Sequence, residues 1–541
     1  MAAQHQHDRV DRFGLKDHWR CLAAMTLVSL STFQYGLDFG VISGLQAMVP
    51  FLQVFGYFDP ALGPAGGWNI SSERQQLISS LMTLGAFLTS ATAGFTAMFI
   101  GRRASLWMAC ALCVVATVMM QTTTSIAALY VARVVIGLGN GLLLTYSQLW
   151  ILECAPARYR GLGISAFQIW TAIGTLVGAL VDNFSNKYNA TTSVAYIVPL
   201  GIVYIVPGIL AIGLFFLPES PRWLLTRGPA GTEPARAAIR WLRPAGWDVD
   251  AELVEMKTAY ETELNLQTGV AFWDLFANPV DRRRTLLSVG ALLCQASCGS
   301  MYMLAFGTYF FLIAGVGDPF EDTVILISVA VLSSVLNGFV VMRYGFRRTM
   351  LTTGFVLCGI CQLIMAAVWH AKPFTSAGGN TVVAMSVVYL FFYGGCIATY
   401  GWLAAGEMPS QRLRSHTFGL AVAVSFLFSW VTIFTAPYFI NPSELNWGPR
   451  YGYVWFGSCF VTAIWLFLCF PETKDRTLEE IDEMFQARVP GRKFKAYQCG
   501  GAITSGSIAG KHENESTADS SVVEKRGVVE EKGLEDTAAG E

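Results

Sequence analysis

Residues 34–44 decide the fold, and they read Gln34-Tyr35-Gly36-Leu37-Asp38-Phe39-Gly40-Val41-Ile42-Ser43-Gly44. This stretch places one carboxylate, Asp38, in an apolar segment that opens with the uncharged run Cys21–Leu37. A charge in the middle of a bilayer costs at least about 2.5–3.5 kcal/mol, so it needs a partner or a function. The next charge inside a comparable segment is Arg133, which opens a series of closely spaced glycines. One acid and one base in apolar helices predict a pair that couples an ion to transport.

The composition is that of a membrane protein. Of 541 residues, 53% are hydrophobic and only 14% are charged, which is typical of chains with many membrane spans. The net charge of −1 gives no indication of nucleic-acid binding. Most of the 12 cysteines lie in apolar runs without metal-ligand spacing, and we find no nucleophile–base pattern or phosphate-binding loop. We therefore expect no metal, no cofactor and no enzymatic activity.

Apolar segments divide the chain into two bundles of helices. A helix needs about 20 residues to cross the hydrocarbon, and twelve such segments lie near residues 21–44, 75–100, 104–123, 126–151, 161–182, 194–217, 285–314, 322–342, 349–370, 381–406, 416–440 and 451–471. The expected parts are a cytosolic N-terminal tail (1–20), a six-helix bundle (21–217), cytosolic linker helices (218–284), a second six-helix bundle (285–471), and a cytosolic amphipathic helix with a disordered tail (472–541). The predicted fold class is all-α.

The loops predict the orientation. Clusters of arginine fall in alternate loops, so the positive-inside rule places both termini in the cytosol, and we expect a multi-pass protein of the plasma membrane. The sequons of Asn69, Asn183 and Asn189 all fall in loops assigned to the outside. They are candidate glycosylation sites, which predicts a glycoprotein.

Three motifs occur twice, in the same order. Gly94-x6-Gly101-Arg102-Arg103 matches Gly338-x6-Gly345-Phe346-Arg347-Arg348, Glu153-x6-Arg160 matches Glu407-x6-Arg414, and Pro218-Glu219-Ser220 matches Pro471-Glu472-Thr473. The copies are 244 to 254 residues apart. Duplicated six-helix halves with a binding site between them predict an alternating-access transporter.

The repeated charges lie at the cytosolic ends of the spans. We interpret them as a cytosolic gate in which acids and bases on neighbouring helices pair while the inner side is shut. Solvated pairs are worth about 0–1 kcal/mol each, so several are needed. The alternative is simple positive-inside anchoring. The gate set is Arg102, Arg103, Glu153, Arg160, Glu219, Arg347, Arg348, Glu407, Arg414 and Glu472.

These motifs resemble the sugar porter family of the major facilitator superfamily over residues 20–488. The resemblance rests on Tyr35-Gly36-x-Asp38, Arg133-x3-Gly137-x-Gly139, Glu153-x2-Pro156-x3-Arg160-Gly161, Pro218-Glu219-Ser220-Pro221-Arg222-Trp223-Leu224 and Pro471-Glu472-Thr473-Lys474-x-Arg476-Thr477-Leu478-Glu479-Glu480-Ile481-Asp482. Three further motifs are similar to the fungal α-glucoside (maltose-type) permease branch: Gln295-x2-Cys298-Gly299-Ser300, Gly307-Thr308-Tyr309-Phe310-Phe311 and Glu407-x-Pro409-Ser410-x-Arg412-Leu413-Arg414. The resemblance implies the major facilitator fold, with twelve transmembrane helices in two pseudo-symmetric bundles.

The resemblance also implies roles for single residues. Asp38 takes the position of the proton-binding acid and Arg133 that of its partner. Sugar-contacting positions are matched by Gln168, Gln295 and Trp402, with Tyr35 lining the same cavity.

Four positions depart from the family pattern. Met98 and Met342 replace the Asp expected in each Gly-x6-Gly-Arg motif, which weakens the expected cytosolic latch. Ala296 and Met301 replace a glutamine and an asparagine of the hexose signature. Two lost hydrogen-bonding groups favour a disaccharide, a glucoside or a fungal metabolite over plain glucose.

The predicted function is a proton-coupled sugar symporter that takes an α-glucoside, disaccharide or hexose by alternating access. Its partners are then the small-molecule substrate, the proton and the lipid bilayer, with no nucleic acid. Two alternatives stay open: a metabolite exporter on the same fold, and a non-transporting sugar receptor.

Overall fold

Long helices make up most of the structure. The computed structural model describes residues 16–60, 65–267, 272–315, 317–410, 412–474, 476 and 478–497. Most of the predicted N-terminal tail and the predicted disordered tail beyond residue 497 lie outside the described residues.

The first half runs from Trp19 to Phe216. Its helices are α1 (Trp19–Leu45), α2 (Val49–Phe55), α3 (Ser72–Phe99), α4 (Arg102–Thr122), α5 (Ile126–Cys154), α6 (Ala157–Asn189), α7 (Val194–Ile202) and α8 (Ile205–Phe216). Between α2 and α3, strands β1 (Tyr57–Phe58) and β2 (Trp68–Asn69) form a short antiparallel pair in which Tyr57 is opposite Asn69.

The segment between the two halves is helical. It comprises α9 (Pro221–Leu225), α10 (Pro229–Leu242), α11 (Val249–Gln267) and α12 (Asp274–Ala277). Arg243 holds it to the first half, because its Nη1 donates to the carbonyl of Cys154 at 3.0 Å while its Nη2 pairs with Glu252 at 2.6 Å. His18 packs edge-on against Trp247 at this junction. Burial lowers the pKa of His18, and the Arg243 guanidinium lowers it further.

The second half repeats the arrangement of the first. Its elements are α13 (Pro279–Ser297), α14 (Ser300–Ala314), α15 (Pro319–Tyr344), α16 (Arg347–Ala371), α17 (Ser376–Phe392), a π-helical segment (Tyr393–Ala398), α18 (Thr399–Glu407), α19 (Arg414–Ile440), a 3-10 turn (Gly448–Tyr451), α20 (Gly452–Cys469), α21 (Leu478–Gln486) and a second 3-10 turn (Gly491–Ala496). The seventh predicted span is broken between α13 and α14, where Gly299 has φ 85 and thus a left-handed conformation.

Within the described residues, nine helical segments are long and apolar enough to cross a membrane. A tenth is obtained if α1 and α2, which meet at a bend of 82°, count as one span. Two more helices, α3 with 28 residues and α6 with 33, also have the length that a crossing needs. The architecture is consistent with the twelve predicted crossings.

Glycines allow the helices of the first half to approach closely. Gly36 and Gly40 on α1 lie against the backbone carbonyls of Thr171 and Thr175 on α6, and a Cβ at either glycine would overlap them. Gly137 on α5 meets the backbone of α3 in the same way. Small residues usually allow close helix packing in membranes, because the hydrophobic effect does not drive helices together in lipid. This packing fixes α1, α3, α5 and α6 around the acid–base pair.

Candidate functional site

The predicted acid–base pair is formed. Arg133 Nη1 lies 3.0 Å from Asp38 Oδ1 and 3.2 Å from Oδ2, and Arg133 Nε donates to the carbonyl of Ile78 on α3 at 2.8 Å. The exposed fractions are 1% for Arg133 and 2% for Asp38. One guanidinium thus joins α1, α3 and α5. Removing one member of such a buried pair leaves an uncompensated charge, which is strongly destabilising.

The pair lies between the middle of its helices and one of their ends. Asp38 is seven residues before the end of α1, and Arg133 is seven residues after the start of α5. With a rise of about 1.5 Å per residue, Asp38 lies roughly 10 Å from the end of its helix. The pair faces neither lipid nor open water.

The predicted sugar-contacting residues lie on two pairs of packed helices, one pair in each half. In the second half, Gln295 Nε2 donates to the carbonyl of Ala398 at 3.1 Å, one helical turn before Trp402. In the first half, Tyr35 adjoins Gly36, whose contact residue Thr171 is one turn from Gln168. Gln295 is 9% exposed, and the other three side chains are half-buried.

The charges of the predicted gate in the first half make a compact cluster. Arg102 binds Glu153 through two hydrogen bonds, of 2.8 and 3.0 Å. Ser220 donates its hydroxyl to the same carboxylate. Glu219 accepts the backbone N–H of Arg103 at 3.1 Å, so its negative charge lies at the N-terminus of α4, where the helix dipole favours it.

The second half contains the same cluster. Arg347 pairs with Glu407 at 2.8 Å, and Thr473 Oγ1 donates to Glu407 at 2.6 Å. Glu472 accepts the backbone N–H of Arg347 at 2.8 Å, at the N-terminus of α16. Sequence reasoning missed Ser220 and Thr473 as partners, although both lie inside the repeated Pro-Glu motifs.

The remaining arginines of the gate set differ in their surroundings. Arg103 and Arg348 donate to the carbonyls of Phe215 at 3.3 Å and Phe467 at 2.5 Å, so each holds the end of a helix. Arg414 forms no ion pair within the described residues. Glu153 and Glu407 are therefore paired with Arg102 and Arg347, and Glu407 forms no pair with the arginine seven positions further along. The Arg160 side chain lies outside the described residues.

The family model for sugar (and other) transporters matches residues 24–485. The chain belongs to this transporter family. It is 27% identical to the major facilitator-type transporter ecdD of Aspergillus rugulosus, over 86% of this chain and 87% of that protein. It is also 27% identical to a maltose permease of Saccharomyces cerevisiae, over 89% of this chain and 78% of that protein.

The major facilitator fold is shown by similarity to solved structures. One is the xylose transporter XylE from E. coli in a partially occluded inward-open conformation, with a TM-score of 0.67 and 18% identity, covering 84% of this chain and 99% of that chain. Another is the proton:xylose symporter XylE bound to 6-bromo-6-deoxy-D-glucose, with a TM-score of 0.68 and 20% identity, covering 86% and 99%. This family member is accordingly a multi-pass membrane transporter, and its relatives are transporters rather than enzymes.

In this transporter, buried polar groups join the two halves at one end. Tyr309 Oη donates to Asn69 Oδ1 at 2.8 Å, and Asn69 Nδ2 donates to Asn441 Oδ1 at 3.3 Å. Asn441 Nδ2 donates in turn to the carbonyl of Ile70 at 2.9 Å and to Gln75 at 3.4 Å. Asn69, Tyr309 and Asn441 are 0% exposed. This end, which the sequence assigns to the outside, is closed in the structure.

The predicted glycosylation at Asn69 does not fit this conformation. Its amide nitrogen is buried and donates to Asn441 and Tyr57, so a glycan would have no room. A sequon is a local sequence pattern and says nothing about whether its asparagine is buried. Asn183 and Asn189 are only half-buried at the end of α6, and they stay predictions.

Proposed function

We propose that this chain is a proton-coupled sugar symporter that works by alternating access. The observation that carries the proposal is the buried pair of Asp38 and Arg133, 3.0 Å apart between helices of one bundle. A membrane protein tolerates such charges where they bind or move ions. The duplicated halves and the polar seal at one end support movement of one half against the other.

Protonation is the chemical step that the pair can perform. While Asp38 is ionised, it holds Arg133 and thereby ties α1 to α5. A proton on Asp38 removes the attraction, so protonation and separation of the two side chains become one event. We propose that the proton binds from the outside before the substrate is enclosed, and that both leave on the cytosolic side. One charge moved through 100 mV contributes about 2.3 kcal/mol.

The substrate class follows from the two sets of contact residues. Amide side chains such as Gln168 and Gln295 donate and accept hydrogen bonds, which suits neighbouring sugar hydroxyls. The ring of Trp402 offers an apolar face for the C–H face of a pyranose. Ala296 and Met301 lack the polar groups of a hexose site, so we propose an α-glucoside or disaccharide. Relatives named as maltose and general α-glucoside permeases support this choice.

The cytosolic clusters complete the cycle that we propose. Arg102 with Glu153 and Arg347 with Glu407 stabilise the inner ends of the spans, and their pairing changes as the inner side opens. Both chain termini lie in the cytosol in this proposal, and the protein functions in the plasma membrane.

Asp38→Asn tests the coupling. Asn keeps the shape of a protonated acid but binds no proton, so we expect loss of pH-driven accumulation of labelled maltose or another α-glucoside in vesicles. Exchange of substrate between the two sides should continue. Glu73→Gln, which changes an exposed acid at the start of α3, is the control and should transport normally. Undiminished proton-driven accumulation by Asp38→Asn would refute the coupling, and net outward flux would favour an exporter.

A further inference from the structure

A second carboxylate is buried in the first half. Asp182 on α6 is 1% exposed. Within the described residues, neither of its carboxylate oxygens has a hydrogen-bond partner on another side chain, and the backbone amide of Gly44 lies beside the group. Asp38 has Arg133, whereas Asp182 has no comparable cation among the ion pairs of the described chain. The coupling mechanism makes no use of it.

Asp182 is accommodated by a glycine. It lies at the end of the seam between α1 and α6, where Gly36, Gly40 and Gly44 follow one another at every fourth residue. Gly44 lies against the Asp182 carboxyl, and a Cβ at position 44 would overlap Oδ2. The chain thus leaves room for this carboxyl by omitting a side chain on the opposite helix.

The surroundings of Asp182 connect it to the closed end. Next to Gly44, the Ser43 hydroxyl accepts the backbone N–H of Thr308 on α14, which belongs to the other half, at 3.4 Å. Further along α6, Lys187 pairs with Glu321 on α15 at 3.3 Å. Opening this end must separate α1 and α6 from α14 and α15. Asp182 therefore lies beside two contacts between the halves that open and close together.

Other charges near this end do not neutralise Asp182. The elements packed against α6 are α1, α5, α7 and α15. On α1 the charged group is Asp38, which is bound to Arg133 on α5. Helix α7 carries no Asp, Glu, Lys, Arg or His. The remaining charges are Lys187 at the end of α6 and Asp318, Glu321 and Asp322 at the start of α15; three of the four are acids.

We propose that Asp182 is a second proton-binding site, separate from the coupling pair, that is protonated while the outer end is closed and ionised when it opens. An ionised carboxylate without partners is costly in an apolar environment, whereas the neutral acid costs far less. Water reaches the carboxyl when the halves part, and ionisation then opposes closure. The proton is taken from the outside on closure and returned there on opening, so it is not transported. The proposal rests on the alternating-access function above but not on coupling through Asp38.

A labelling experiment on the full-length protein tests this site. Thr308→Cys reports opening through its reaction with a membrane-impermeant thiol reagent added outside. Ser376→Cys, at the exposed start of α17, corrects for the pH dependence of the reagent. The ratio of the two rates should rise between external pH 5.5 and 7.5, by at most about tenfold per pH unit for one proton.

Neutral variants decide the outcome. Asp182→Asn resembles the protonated acid, and Asp182→Ser serves if the first folds poorly; in both, the ratio should become independent of pH. Asp322→Asn, which changes an acid of α15 at the same end, should keep the wild-type rise. A flat ratio in the wild-type background, or a rise that persists in the neutral variants, would overturn the proposal. Failure of the Asp38 test would leave this readout unaffected, because labelling measures opening and not accumulation.

Discussion

At the scale of single residues, Arg133 makes two contacts that no other residue type can replace together. Its Nη1 binds the Asp38 carboxylate, and its Nε binds the Ile78 carbonyl at 2.8 Å. The planar guanidinium presents these donors in a fixed geometry. Charge and shape are therefore both required at this position.

Loss of Arg133 alone should be worse than loss of the whole pair. Arg133→Gln leaves Asp38 buried without a cation, and we expect the free energy of unfolding to fall by about 3–5 kcal/mol. In the double variant with Asp38→Asn, no charge stays uncompensated, so much of that loss should be recovered. Thermal unfolding of the purified proteins in detergent, analysed as a double-mutant cycle, measures the difference. Equal stability of the single and double variants would contradict a direct ion pair.

The sequence was sufficient to pair Asp38 with Arg133 because isolated charges in apolar helices have few possible partners. It was not sufficient for Asn69, since a sequon is a local pattern and burial depends on distant residues. Its partners in the second half are Tyr309 and Asn441. They lie hundreds of positions away in the chain, so no local pattern could reveal them.

At the scale of elements, the seam between α1 and α6 determines where Asp38 is held. The glycine spacing could be read from the sequence, but not which helix lies opposite. The structure shows that Gly36 meets Thr171 and that Gly174 on α6 meets Phe33 in return. The two helices interlock through their backbones, and side chains at these positions would force them apart.

A side chain at Gly36 should therefore prevent correct folding. Gly36→Val places two methyl groups where the Thr171 carbonyl lies, and the backbone cannot yield as a flexible side chain can. We expect little monodisperse protein on size-exclusion chromatography of a fluorescent fusion. Gly208→Ala on α8 is the matched control, since its Cβ would meet nothing within 4 Å. Comparable yields of the two variants would show that the seam is looser than its geometry indicates.

At the scale of the whole molecule, the repeat predicted from three motifs appears as matching contacts. Glu153 holds Arg102 and Ser220 in one half, as Glu407 holds Arg347 and Thr473 in the other. The sequence predicted the two halves because repeated motifs are local. It could not predict which end is closed, because closure depends on how the two halves meet.

Asn441 is the residue on which that closure depends most directly. It joins the second half to three groups of the first, at Asn69, Ile70 and Gln75. A hydrogen bond contributes about 0.5–1.5 kcal/mol net, and two of these three are long. Asn441→Ala should thus shift the equilibrium toward the form open on that side by about 1–2 kcal/mol, or roughly 5- to 30-fold. The expected measurement is faster labelling of the Thr308→Cys reporter at constant pH.

Ser443→Ala separates this effect from a general loosening of the same loop. Ser443 donates to Asn441 Oδ1 at 3.0 Å but belongs to the same half, so its removal leaves the contacts between the halves in place. If both variants were labelled equally fast, closure would depend on apolar packing between the halves. The buried amides would then only occupy space in that interface. If Asn441→Ala alone is faster, the buried polar contacts stabilise the closed form. Binding of a proton and a substrate must then supply the free energy that breaks these contacts.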